Sequence, residues 1–120
     1  MEFHLAADST APLVARHRVT TAADCAGTST AEALALLTSE LVSNAIMHPV
    51  PPTQDVVLRF RDGDSLRVEV LDGGGGFVPP AEGPPGRPGG LGLHIVDQLA
   101  AAWGVEAEGT RTKVWFELDR

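Results

Sequence analysis

Glu40 and Asn44 stand four residues apart in Glu40-Leu-Val-Ser-Asn44, and His48 follows four residues later. On a helix this spacing puts all three on one stripe. A carboxylate there can accept a proton, and a carboxamide oxygen can ligate a hard cation such as Mg²⁺. The plainer alternative is an exposed Glu and Asn at a helix margin. A second group is Asp72-Gly-Gly-Gly-Gly-Phe77, directly after a strand pattern. A carboxylate at a strand end, followed by glycines, can meet a ligand that approaches the backbone closely. Asp-Gly also favours ordinary turns, although four successive glycines exceed what a turn requires. The third group is Gly89-Gly-Leu-Gly-Leu93, opening a helical pattern. Glycines at a helix start leave amides free for phosphate, aided by the helix dipole, or they serve only as a permissive lead-in.

Other chemistries are excluded by residue type. The only lysine, Lys113, lies far from any glycine loop of the G-x-x-x-x-G-K-[ST] form. The pairs Gly74/Gly76 and Gly90/Gly92 lack the third glycine of a dinucleotide fingerprint. His4, His17, His48 and His94 show no paired metal spacing. His17-Arg18 is followed by Val19, so the catalytic-loop signature of eukaryotic-type kinases is absent.

The elements that must position these groups are legible from periodicity. A first helix is predicted over Ala11–Ala22, with Ser9 or Thr10 as N-cap and Pro12 in the first turn. A second is predicted over Thr30–Met47, with Ser29 and Glu32 as a capping box and Leu34, Leu37, Leu41 and Ala45 on its apolar stripe. A third starts near Gly90 and carries Ile95, Val96, Leu99 and Trp103 at helical spacing. Alternation in Val56/Leu58/Phe60 and Leu66/Val68/Val70 around Asp62-Gly-Asp64 predicts a hairpin. Val105/Ala107 and Val114/Phe116/Leu118 predict two further strands, and residues 2–6 a short one. Residues 73–90 are too rich in glycine and proline for helix or strand, and a structureless stretch of that length tends to be functional. The expected class is α+β: a two-layer sandwich with a mixed, mostly antiparallel sheet and helices on one face.

At 120 residues the chain is expected to form a single domain, 1–120. Its net charge of −7 disfavours non-specific nucleic-acid binding. The single cysteine, Cys25, excludes an internal disulfide and a multi-cysteine zinc site. With no signal-peptide pattern at the start and no apolar run near the ~20 residues of a membrane span, a cytoplasmic protein is expected.

The three groups occur in an order that resembles the Bergerat ATP-binding fold of histidine kinases and type II topoisomerases. Within that superfamily the chain looks most like bacterial anti-sigma-factor serine/threonine kinases and their stand-alone actinobacterial relatives. Glu40-Leu-Val-Ser-Asn44-Ala-Ile-Met-His48 resembles the N-box, and Asp72-Gly-Gly-Gly-Gly76-Phe the D-x-G-x-G box. Gly90-Leu-Gly-Leu-His-Ile-Val resembles the second glycine box, and Thr112-Lys-Val-Trp-Phe-Glu the last strand. The resemblance runs from Phe3 to Leu118.

It implies ATP and Mg²⁺ as cofactors, with Asn44 as the metal ligand and Asp72 accepting the adenine amino group. Gly74 and Gly76 would shape the base pocket, and Thr112 would lie close to the adenine. The segment Gly90, Leu91, Gly92 and Leu93 would offer backbone amides to the phosphates. Glu40 would be the base that activates a protein hydroxyl, and Arg16 matches an arginine used at the partner surface. The expected partners are a sigma factor, a STAS-type anti-anti-sigma factor, or both, and self-association into a homodimer is left open. The lid, residues 77–89, carries five prolines and one cation, Arg87, which argues against a phosphate clamp from the lid. No phosphoacceptor-histidine helix precedes the domain, so a complete histidine kinase is not expected. The competing function is an ATP-binding regulatory module that never transfers phosphate.

Overall fold

A computed structural model of the chain describes residues 1–23, 28–47, 56–72, 93–109 and 111–119. In chain order the elements are β1 (Glu2–Leu5), α1 (Ala11–Ala22), α2 (Thr28–Met47), β2 (Val56–Asp62) and β3 (Ser65–Leu71). They continue with α3 (Leu93–Leu99), β4 (Ala102–Glu108) and β5 (Arg111–Asp119). The strands form one sheet in the order β1-β2-β3-β5-β4. All four described pairings are antiparallel, in keeping with the mostly antiparallel sheet expected from the sequence. The α+β two-layer sandwich stands.

Strand alternation builds the core. Leu58, Val70, Val114 and Val105 lie in one cross-strand row, and Phe60, Val68, Phe116 and Trp103 in the next. These rows face the helices, and Leu58, Val68 and Phe116 are fully buried. Each such side chain contributes about 1.5–3 kcal/mol relative to exposure. From the helical layer, Leu34, Leu37, Leu41 and Val42 of α2 join the same core. Ala11, Ala15 and Val19 form the buried stripe of α1, and these small residues let α1 lie close along α2. No described helix is long and apolar enough to cross a membrane.

Helix α1 has the predicted bounds, but its cap is built differently. Thr10 occupies the N-cap without a side-chain cap bond. The Asp8 carboxylate instead accepts both the Thr10 amide, at 2.9 Å, and the Thr10 hydroxyl. Helix α2 begins at Thr28, so Ser29 lies inside it and the predicted capping box does not form. The third helix ends at Leu99, and Trp103 belongs to β4 opposite Phe116. The reason is a backbone switch. Ala100 N–H closes the helix on Val96 O at 2.8 Å, and Ala101 N–H joins the sheet through Glu117 O at 2.8 Å. At the β4–β5 turn Gly109 takes a φ of 64°, where a side chain would be strained.

Candidate functional site

Helix α2 packs over β3 and β5, the two strands that meet in the middle of the sheet. It carries Glu40 and Asn44, both half-buried and one turn apart on the same stripe. Leu37 and Leu41, fully buried beside them, fix the rotation of the helix against the sheet.

Asp72 follows the last residue of β3 and is 9% exposed. It extends the β3–β5 ladder by one step: its amide donates to Thr112 O at 3.1 Å, and its Oδ1 accepts the Thr112 amide at 3.4 Å. Thus a nearly buried carboxylate is oriented by the backbone of the neighbouring strand. Alternation puts the Thr112 side chain on the helix-facing side with Val114 and Phe116.

The structure therefore brings Asp72 and Thr112 together and places Glu40 and Asn44 on the helix above their strands. Leu93 is the first residue of α3. Gly74, Gly76, Gly90, Leu91, Gly92, His48, and the segment 77–89 with Arg87, lie outside the described residues. Arg16 is exposed on α1. No described cluster of three or more His, Cys, Asp or Glu residues gathers as a metal cage. A single amide oxygen such as that of Asn44 suits Mg²⁺ shared with phosphate oxygens, because Mg²⁺ retains most of its waters. The donor set fits a nucleotide in the same way: a buried acceptor at a strand end suits an exocyclic amino group.

Sequence reasoning missed two features. The Asp72–Thr112 exchange depends on β5 lying beside β3, a neighbourhood set by long-range pairing. Thr38 on α2 is fully buried, yet its hydroxyl has no hydrogen-bond partner among the described residues. The apolar surroundings Leu34, Leu37, Leu41 and Val42 were the available signal.

Residues 5–118 match the histidine kinase-like ATPase domain family. Over 86 residues the chain is 36% identical to a protein of Erythrobacter litoralis (strain HTCC2594), blue-light-activated histidine kinase 2. That match covers 68% of this chain but only 24% of the relative, so the chain corresponds to one portion of a longer protein there. The family match takes in both the N-box-like helix and the Asp72–Thr112 seam, and the chain belongs to the histidine kinase-like ATPase domain family.

Proposed function

We propose that this ATP-binding domain is a Mg²⁺-dependent serine/threonine protein kinase of the anti-sigma-factor type. The observation that carries the nucleotide part is Asp72, a nearly buried carboxylate held by the Thr112 backbone at the end of a central strand. Its role is to accept the adenine amino group, with Thr112 close to the base and Gly74 and Gly76 shaping the base pocket. Asn44 holds the metal, which when bound neutralises charge on the phosphate oxygens. The backbone amides of Gly90, Leu91, Gly92 and Leu93 receive the phosphates.

Glu40, one turn from Asn44, takes the proton of a partner serine hydroxyl. As that proton leaves, the serine oxygen forms its bond to the terminal phosphorus. The bond from that phosphorus to the bridging oxygen breaks, and ADP departs with the electron pair. A positioned base of this kind contributes about 10²–10⁴-fold. The partner is a sigma factor, a STAS-type anti-anti-sigma factor, or both. It is received on the outer face of α1, where Arg16, His17 and Arg18 are exposed beside Leu13 and Val14.

The test is incubation of the protein with γ-labelled ATP and purified candidate partners of these two kinds. Label should appear on a partner serine, and Glu40→Gln should bind ATP and partner while transfer collapses. Transfer by Glu40→Gln at the wild-type rate would remove Glu40 from the base role. A wild-type protein that binds ATP and a verified partner without transferring label would be a regulatory binding module.

A further inference from the structure

Helix α3 is too short to hold its own shape. It has seven residues, against the ~12–15 at which an isolated helix becomes even marginal in water. Val96 is fully buried and Ile95 packs against the core, whereas Asp97, Gln98 and Leu99 are exposed. Behind the helix, the bonds from Ala100 to Val96 and from Ala101 to Glu117 fix the exit of the chain.

A side chain ties the exposed side of α3 to the sheet. The Trp103 indole Nε1 donates to Asp97 Oδ1 at 2.9 Å. Trp103 lies on the edge strand β4 opposite the fully buried Phe116, and its ring is packed against the core. The sheet therefore sets the place of the indole, and the bond passes that place on to the helix. Asp97 follows Leu93 by four residues, so it lies on the same face of α3 one turn after the residue that opens it.

We infer that Trp103 is a positioning residue for the phosphates of the nucleotide: through Asp97 it fixes the direction of α3 and, with it, the segment Gly90–Leu93 that leads in. The inference rests on the reading above, in which that segment receives the phosphates, and adds the group that holds it ready. The adenine half of the same reading rests on Asp72 and Thr112 at the β3–β5 seam, outside α3. The two halves of the nucleotide thus depend on different supports. With the indole bond made, the segment is presented before the ligand arrives. Without it, binding of the phosphates must also order α3, and the cost of ordering is subtracted from affinity.

The test is the ratio of ATP to adenosine affinity, measured by calorimetry in Mg²⁺ on the full chain. Wild type should bind ATP more tightly than adenosine. Trp103→Phe keeps an aromatic ring opposite Phe116 and removes the donor, and Asp97→Ala, at an exposed position, removes the acceptor. Each should lower ATP affinity about three- to tenfold, the worth of one hydrogen bond, and leave adenosine affinity unchanged. Asp97→Asn carries the same charge as Asp97→Ala but retains an acceptor oxygen, and it should keep the ratio. The double variant Trp103→Phe/Asp97→Ala should lose no more than either single one. Equal losses for ATP and adenosine would make Trp103 a structural residue only and overturn the inference. An unchanged ratio in Trp103→Phe, additive losses in the double variant, or a loss in Asp97→Asn as large as in Asp97→Ala would overturn it too. A wild type that binds ATP and adenosine alike would instead overturn the phosphate reading, and the inference with it. One that binds neither would overturn the nucleotide reading itself.

Discussion

The indole of Trp115 lies against the backbone of Gly104 across the β4–β5 ladder. A Cβ built at position 104 would stand 2.8 Å from the Trp115 Nε1. The Arg67 guanidinium also lies over the indole, 4.2 Å from the ring centroid, and Arg67 is itself held by Glu69 and Glu117. The ring therefore has little freedom to yield. Gly104→Ala should destabilise the protein by about 1–3 kcal/mol, the usual cost of overpacking, despite the better intrinsic strand preference of alanine. The urea midpoint, compared at constant m value, measures it.

Thr38 gives the opposite expectation. Its hydroxyl is buried without a partner among the described residues, a condition that costs about 1–3 kcal/mol. Thr38→Val keeps the shape and removes the polar atom, so it should raise stability by about 1 kcal/mol. Thr38→Ser retains the unpartnered hydroxyl and loses a buried methyl, and should lower stability. Equilibrium unfolding of the two variants separates packing from polarity.

Acid should weaken the outer face of the sheet. Burial pushes the Glu69 carboxyl up, but its bond to Arg67, the charge of Lys113 and the bond to Arg59 outweigh this and hold it below 4.5. Arg59 lowers Glu2 and Glu108 in the same way. Folded values below the unfolded ones mean that this stability is present above about pH 4.5 and is lost as pH falls through the folded values. The melting temperature should drop on that acid limb, and Glu69→Gln should show a lower plateau with a shallower fall.

Nucleotide preference reads out the role of Asp72. A carboxylate accepts from the amino group of adenine and meets the carbonyl of guanine as acceptor against acceptor. With an unsatisfied buried polar group costing about 1–3 kcal/mol, ATP should bind roughly ten- to a hundredfold more tightly than GTP. Asp72→Asn can turn a donor toward guanine and should erode that ratio. Calorimetry with both nucleotides measures the change, and equal affinities in the wild type would dismiss the pocket assignment.

Asn44→Ala should leave metal-free ATP binding nearly unchanged and abolish the gain that Mg²⁺ confers. Titrations in Mg²⁺ and in a chelator give the two affinities. A variant that keeps the gain would place the metal ligand elsewhere.

Much of this architecture was legible because local patterns and tertiary packing agree. The bounds of α1, the Asp62-Gly-Asp64 hairpin and the stripe carrying Glu40 and Asn44 follow from periodicity and turn chemistry. Trp103 was misplaced because its spacing from Leu99 satisfies a helix equally well. What separates the alternatives is the bond from Ala101 to Glu117, made by a strand not yet reached in sequence. Trp103 nevertheless remains at the helix, since its Nε1 donates to Asp97 Oδ1 at 2.9 Å. Likewise Asp72 could be singled out as a carboxylate at a strand end, but its orientation by Thr112 could not. Neither could the outer-face ion pairs of Arg59 and Arg67 with Glu2, Glu69, Glu108 and Glu117, which require the register of all five strands.

The strand order has a consequence for how the chain reaches this state. Strands β2 and β3 form one local hairpin, β4 and β5 another, and their backbones pair along the β3–β5 seam. Local hairpins close fast, whereas a seam between distant segments must first overcome loop-closure entropy. Asp72 and Thr112 lie on opposite sides of that seam. The base recognition proposed for this pair is thus expected only after the slow joining step, and a nucleotide held as proposed across the two hairpins should retard unfolding more than it accelerates folding.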